Sequence, residues 1–235
     1  MADGRVLWQP VEGLHSVTIV ETETHTLTLG EEIANSISHG LGLVLALVAA
    51  PFLVLSAMRA GSFRFIVGAG VFGATMILLY LASTLYHSLT HEGAKRLFRL
   101  FDHCAIFILI AGTYTPFALG VLRGPWGWTL LVIVWSLAIT GITLKAIKGT
   151  HHSWISIALY VVMGWLAVVA TKPILTLVPL PGIALILAGG VAYTGGLAFF
   201  AARRRYSHFI WHLFVIAGTT CHFFAVLWYA APYGA

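Results

Sequence analysis

The chain has 235 residues, of which 59% are hydrophobic and only 9% are charged, with a formal net charge of +5. A water-soluble domain carries about 25% charged residues, so this composition excludes a soluble globular fold and indicates a chain embedded in lipid. The basic residues are spread among the ends of apolar segments, which is a topology signal and argues against nucleic acid as a partner. Cys104 and Cys221 both fall in apolar segments, so no disulfide framework is predicted.

The N-terminal region is acidic. Six of the eight acidic residues come before position 34, and only Glu92 and Asp102 follow, which makes Asp102 conspicuous. We interpret residues 1–31 as an acidic cytoplasmic tail and residues 32–235 as a transmembrane domain. The alternating stretch 24–29 could form a short strand, although a flexible tail is the preferred interpretation. The chain begins without the features of a cleaved signal peptide, so the first span is expected to act as the insertion signal.

Seven apolar stretches follow, each about 20 residues long, which is the length that a helix needs to cross a bilayer. Basic residues, glycine and proline interrupt them. The sequence therefore predicts an all-α bundle of seven transmembrane helices, and six remain possible if a boundary of the second or third stretch is misjudged. The predicted spans are 34–58, 65–87, 102–122, 126–146, 153–171, 182–202 and 208–230.

The orientation of the bundle follows from its basic residues, because Lys and Arg accumulate in cytoplasmic loops. With the N-terminus inside, nine of the thirteen Lys and Arg residues lie on the cytoplasmic side and four lie outside. We therefore predict a cytoplasmic N-terminus and an external C-terminus. The four external residues are Arg59, Arg64, Arg123 and Lys172.

This topology brings several histidines to the cytoplasmic side. His87 ends span two, while His208 and His212 begin span seven one helical turn apart. An imidazole within a span is costly and indicates a functional site, and three imidazoles can occupy three corners of a zinc tetrahedron. A structural role is the alternative, since histidine pairs at this spacing are common and the chain has no His-Glu-x-x-His motif. Asp102 begins span three at the same side, where a salt bridge with Arg99 is its alternative role.

Other polar residues fall on shared helix faces. Glu32, Asn35 and His39 lie on one face at the start of span one, where Glu32 could simply favour the helix N-terminus. Ser83 lies one turn deeper than His87 on the same face. We interpret His222 as a hydrogen-bond donor in helix packing. Three further histidines are interpreted as interfacial anchors: His91, His151 and His152.

These residues occur in three ordered blocks, Glu32-x-x-Asn35-x-x-Ser38-His39, Ser83-x-x-x-His87 with Asp102 beyond it, and His208-x-x-x-His212. The blocks resemble those of the progestin and adipoQ receptor superfamily, and most closely its bacterial branch, the hemolysin III family. The resemblance implies seven transmembrane helices, a cytoplasmic N-terminus and a zinc ion near the cytoplasmic leaflet. It also implies zinc ligation by His87, His208 and His212, contact of Asp102 with a zinc-bound water, and a place for Ser83 beside the site.

A zinc site with three histidines and one open position is typical of catalysis. We therefore expect a multi-pass protein of the bacterial cell membrane that hydrolyses lipid amides or esters and affects membrane lipid homeostasis. Asp102 would accept and return a proton, and Ser83 would donate a hydrogen bond to the developing oxyanion. Two alternatives stay open: a membrane receptor or sensor with structural zinc, and a cytolytic or channel protein of the hemolysin III type.

Overall fold

A computed structural model describes residues 27–149, 153–202 and 204–232. Within these residues the chain is helical and has no β-strand, and seven helical segments are long and apolar enough to cross a membrane. The predicted all-α bundle of seven spans is confirmed and the six-span alternative is wrong. The predictions for the tail before residue 27, for His151 and His152, and for the C-terminal end at Gly234 lie outside the described residues. The helices are α1 (Leu29–Arg59), α2 (Phe63–Ser88), α3 (Glu92–Leu119), α4 (Pro125–Lys148), α5 (Ser153–Gly164), α6 (Thr171–Leu177), α7 (Leu180–Ala201) and α8 (Ser207–Tyr229).

Helix α1 begins with a capping box formed by Thr28 and Glu31. The Glu31 carboxylate accepts a hydrogen bond from the Thr28 backbone N–H at 2.9 Å, and the Thr28 hydroxyl accepts one from the Glu31 N–H at 3.4 Å. The helix therefore starts five residues before the predicted span and carries the first polar block in its opening turns. Large apolar side chains such as Ile37, Leu41 and Val48 are exposed along it, as expected for a helix that faces lipid.

Helices α2 and α3 approach each other closely because small residues lie at their contact. A Cβ atom at Gly68 would lie 2.7 Å from the Cα of Pro116, and one at Gly112 would lie 2.2 Å from the Thr75 hydroxyl oxygen. Small residues of this kind allow two transmembrane backbones to pack directly. The close packing places the end of α2, which carries His87, beside the first half of α3.

Helix α3 begins ten residues before the predicted start at position 102. The Nδ1 atom of His91 accepts a hydrogen bond from the Ala94 N–H at 3.3 Å, so His91 caps this helix. The segment from Glu92 to Phe101 is too polar to be recognised as part of a span by its hydrophobicity, but it continues the helix without interruption. Asp102 therefore lies inside α3 and not at its first turn.

The fifth span is interrupted in its middle. Helix α5 ends at Gly164, a 3-10 turn follows at Leu166–Ala170, and α6 completes the span. The Tyr114 hydroxyl donates to the Gly164 carbonyl and accepts from the Ala167 N–H, both at 3.0 Å. These bonds satisfy backbone groups that the break removes from the helical ladder, which is what irregular backbone at membrane depth requires.

The helices follow one another around the bundle and the last returns to the first. Helix α1 packs against α2 and α8, α2 against α3, α3 against α4, and α7 against α8. The end of α2 and the starts of α1 and α8 therefore meet at one end of the bundle. We call this the histidine end, because it carries His87, His208 and His212. The orientation of this end relative to the cytoplasm remains a prediction.

Candidate metal centre

Three imidazoles from two helices meet at the histidine end. One ring nitrogen each from His87, His208 and His212 lies within 4.8 Å of the others, so these three residues could hold a metal ion. Their ring centroids are 5.1 Å apart for His87 with either partner and 4.6 Å apart for His208 and His212. The structure thus brings together the three histidines that the sequence singled out.

The hydrogen bonding of these rings fits a metal site. The Nε2 atoms of His87 and His208 are buried and have no hydrogen-bond partner among the described residues. A buried polar atom without a partner costs about 1–3 kcal/mol, so such atoms call for a group that satisfies them. Neutral imidazole nitrogens are good ligands for zinc, copper, iron and nickel, and a bound cation would satisfy both atoms.

The other nitrogens of two rings are already engaged. The His87 Nδ1 lies 2.6 Å from a Glu32 carboxylate oxygen, and the second oxygen of Glu32 lies 2.7 Å from the Lys95 ammonium. The His212 Nδ1 lies 3.2 Å from the Asn35 backbone carbonyl and 3.1 Å from the Ser38 hydroxyl. Metal-binding histidines in proteins usually donate their second N–H to such a carboxylate or carbonyl.

Asp102 and Ser83, the two predicted catalytic residues, are both buried in this region. Asp102 lines the same cavity as His208 and His212, and it makes no ion pair with Arg99. Ser83 lies one helical turn before His87 on α2, and its buried hydroxyl lies beside the Asp102 carboxylate. The salt-bridge alternative for Asp102 is therefore wrong, whereas the catalytic roles of both residues remain predictions.

Two further histidines contact this region in different ways. His39 stacks on His212 with ring centroids 3.5 Å apart, and neither of its ring nitrogens makes a hydrogen bond within the described part of the chain. His222 lies deeper on α8, where its Nε2 donates to the Ile186 carbonyl of α7 at 3.1 Å. The predicted helix-packing role of His222 is thereby confirmed.

Two adjoining cavities extend from the metal cluster into the bundle. The near cavity, of about 90 Å³, is lined by Asp102, His208 and His212 together with mainly apolar side chains. The far cavity, of about 220 Å³, is enclosed by apolar residues such as Phe117 and Ile174. Six residues line both cavities, so the two adjoin one another. The shared residues are Thr113, Tyr114, Gly164, Trp165, Gly190 and His222.

The sequence did not reveal every residue of this region. It placed Glu32 and Asn35 on one face of span one, but it gave no partner for either. The ion pair of Glu32 with Lys95 could not be predicted, because Lys95 lies in the polar segment that we did not recognise as part of α3. The contact of Glu31 with the Tyr206 N–H, at 2.8 Å, also joins residues far apart in the chain.

Comparison with known proteins gives one family model that matches residues 27–223, described as haemolysin-III related. The chain is 47% identical to "Hemolysin-3" of Bacillus cereus, over 86% of this chain and 93% of that protein. It is 46% identical to "Hemolysin-3 homolog" of Bacillus subtilis (strain 168), over 86% and 95%. A more distant relative is the human "Monocyte to macrophage differentiation factor", which is 25% identical over 67% of this chain and 68% of that protein.

Proposed function

The chain belongs to the haemolysin-III related family and is a multi-pass protein of the bacterial cell membrane, and we propose that it is a zinc-dependent hydrolase of lipid amides or esters. One observation carries this proposal. Three imidazoles lie close enough to hold one metal ion, and two of them, His208 and His212, line a mainly apolar cavity together with the buried carboxylate of Asp102.

The donor set favours zinc. Catalytic zinc sites use three protein ligands and keep the fourth position of the tetrahedron open, and three histidines are one of the common sets. His87, His208 and His212 would hold the ion. A zinc ion bound there would supply a Lewis acid that polarises a carbonyl group and makes water a better nucleophile at neutral pH.

Asp102 has the position and burial of a general acid–base group. Its carboxylate lines the near cavity together with two of the three histidines, and it forms no ion pair with a Lys or Arg among the described residues. It is therefore free of the competing role that a salt bridge would impose. We propose that it accepts a proton from the attacking water and returns it to the leaving amine or alcohol.

We propose that Ser83 stabilises the substrate carbonyl group while it is attacked. Its side chain is completely buried, and its hydroxyl lies beside the Asp102 carboxylate without bonding a carbonyl of its own helix. Serine and threonine hydroxyls elsewhere in these helices usually bond a carbonyl of the preceding turn, as Thr84 does with Tyr80 at 2.6 Å. A hydroxyl left without this bond is available to donate to the oxyanion that forms when the carbonyl is attacked.

The cavities indicate a lipid as substrate. They are lined mainly by apolar side chains, they lie inside a membrane bundle, and the near cavity leads from the metal cluster to the far one. An acyl chain could occupy this space while its carbonyl lies at the histidine end. The same apolar lining argues against a hydrated pore, which the name of the Bacillus cereus relative, "Hemolysin-3", would suggest for this chain.

The proposal is tested on the purified full chain in lipid nanodiscs. Zinc is measured by mass spectrometry, and release of fatty acid is followed across a panel of lipid amides and esters. We expect about one zinc per chain and turnover of at least one substrate class that stops when the zinc is removed. Bound zinc without turnover of any substrate would instead favour the sensor with structural zinc.

A further inference from the structure

Helix α1 provides none of the three histidines, yet its first two turns contact both helices that do. Glu32 bonds His87 of α2, and the Asn35 carbonyl and Ser38 hydroxyl bond His212 of α8. Each contact is made to Nδ1, which is the nitrogen that faces away from the metal cluster if Nε2 is the ligand. Helix α1 is therefore placed to control the direction of two of the three ligands.

The contact with His87 fixes both its proton and its orientation. A carboxylate only accepts hydrogen bonds, so the Nδ1 atom at 2.6 Å from Glu32 carries the hydrogen and Nε2 keeps its lone pair for the metal. The carboxylate is itself held from the other side by the Lys95 ammonium of α3, which also donates to the Leu89 carbonyl at 3.4 Å. Glu32 thus joins α1, α2 and α3 at a single side chain.

The contact with His212 works through the backbone. The Asn35 carbonyl can only accept, so the His212 Nδ1 donates to it and Nε2 is again left for the metal. The Ser38 hydroxyl donates to the same carbonyl at 2.9 Å and lies 3.1 Å from Nδ1, which fills the remaining space beside the ring. Because the main acceptor is backbone, a substitution of Ser38 removes only part of this support.

His208 differs from the other two ligands. No hydrogen bond of its ring occurs among the described residues, and its Nε2 is unpartnered. Its side chain is also less buried than those of His87 and His212. Two ligands are therefore anchored by α1, and the third is held mainly by packing.

We propose that Glu32 and Ser38 are positioning residues of the metal centre, with Glu32 the stronger of the two. This inference rests on the metal centre under Proposed function, but not on the reaction that occurs there. Groups that hold the second nitrogen of a metal-binding histidine typically change metal affinity about 10–100-fold when they are replaced. The first block of the sequence, which begins at Glu32, thereby acquires a role although it contains no ligand.

The test measures zinc affinity of the full chain in nanodiscs by competition with a chelator of known affinity. We expect Glu32→Ala to weaken zinc binding about 10–100-fold, and Glu32→Gln to weaken it less because its amide oxygen still accepts from Nδ1. Ser38→Ala should weaken binding by less than about tenfold, since the Asn35 carbonyl remains. Glu92→Gln is the matched control: this glutamate is exposed, its ion pair in the described part of the chain is with Arg96, and its substitution should leave zinc affinity unchanged.

A second measurement separates positioning from a general loss of stability. Zinc raises the thermal midpoint by an amount that depends on its affinity, so Glu32→Ala should shrink the zinc-dependent rise more than it lowers the midpoint of the metal-free protein. Equal zinc affinity in wild type, Glu32→Ala and Ser38→Ala would overturn the inference, as would an equal fall in both midpoints. A wild-type chain that binds no zinc would overturn the proposed metal centre itself.

Discussion

The histidine end differs from the half of the bundle around the break in the fifth span in how many of its buried polar atoms have hydrogen-bond partners. Seven described residues bury a polar side-chain atom that has no hydrogen-bond partner. Six of them lie at or beside the histidine end, and His222 alone lies deeper. In the other half, the cavity-lining threonines bond carbonyls of their own helix, as Thr113 does with Leu109 at 2.9 Å and Thr194 with Gly190 at 2.8 Å.

This difference bears on where the parts of the proposed lipid substrate would bind. Unsatisfied polar atoms are costly, and a cluster of them persists in a membrane helix bundle only where a cation or a polar substrate group completes it. The threonine hydroxyls that are satisfied within their own helix leave the lining of the neighbouring cavities mainly apolar, apart from His222, and such a lining suits an acyl chain. In the proposed reaction, the reacting group would therefore lie at the histidine end and the lipid tail in the two cavities.

The membrane orientation would decide which leaflet supplies the proposed lipid substrate to the histidine end. We expect residues 1–31 to face the cytoplasm and Gly234 to face outward, because nine of thirteen basic residues then lie inside. In a variant with Cys104 and Cys221 replaced by Ser, Gly234→Cys should react fully with a membrane-impermeant maleimide on intact cells. Gly13→Cys should react only after lysis. Labelling of both on intact cells would contradict the predicted orientation.

Removing one of the clustered histidines should have the largest effect on the metal. We expect His212→Ala to lower zinc affinity by more than the roughly 100-fold typical of outer hydrogen-bond partners, because it deletes a ligand. His222→Ala is the matched control, since it removes a buried histidine from the same helix that lies outside the cluster. Zinc content should fall only in His212→Ala, and equal zinc in both variants would contradict the assignment of the metal centre.

Asp102 separates catalysis from metal binding. Asp102→Asn preserves the shape of the side chain but removes its ability to accept a proton, so turnover should fall about 10²–10⁴-fold. Zinc content and thermal midpoint should stay close to wild type, because Asp102 makes no ion pair in the described structure. Full turnover in this variant would show that the carboxylate is not the acid–base group, and Glu92→Gln serves as the control.

Ser83 tests the proposed contact with the oxyanion. Removal of one such donor costs enzymes about 10²–10³-fold in kcat, and we expect Ser83→Ala to fall in this range, with an unchanged KM. The serine hydroxyl bonds no carbonyl of its own helix and its polar neighbour is the Asp102 carboxylate, so its loss should destabilise the metal-free protein only slightly. A fall in stability together with unchanged kcat would indicate that Ser83 is only a packing residue.

The fold could be predicted from the sequence because bilayer thickness imposes a length on every apolar stretch. The two largest departures from the prediction, the start of α3 and the break in the fifth span, occur where that rule does not apply. Residues 92–101 are polar and still helical, and Gly164 looks like an ordinary glycine in an apolar run. The compensating partner of that break, Tyr114, is 50 residues away in the chain.

Part of the candidate site could be predicted from helix periodicity and from the topology of the spans. His208 and His212 share a helix face by spacing alone, and the topology brings His87 to the same side. The pairings that orient these rings depend on contacts between α1 and other helices. Tertiary packing sets the ion pair of Glu32 with Lys95 and the hydrogen bond of His212 to the Asn35 carbonyl, and the local spacing of residues does not indicate either contact.

The smallest expected effect concerns the junction of the two cavities, where a substitution should change turnover according to the length of the acyl chain. Gly190 lines both cavities, and a Cβ atom there would meet only the Trp165 ring at 3.8 Å, so α7 should tolerate a side chain. Gly190→Leu would fill the junction and shorten the space for an acyl chain. We expect turnover of long-chain substrates to fall about tenfold relative to short-chain ones, which is the scale of misfit in an apolar pocket.

Gly70→Leu is the control, because nothing lies within 4 Å of its Cβ position and the chain-length preference should stay unchanged. An equal loss for all chain lengths in Gly190→Leu would contradict the assignment of the lipid tail to the far cavity.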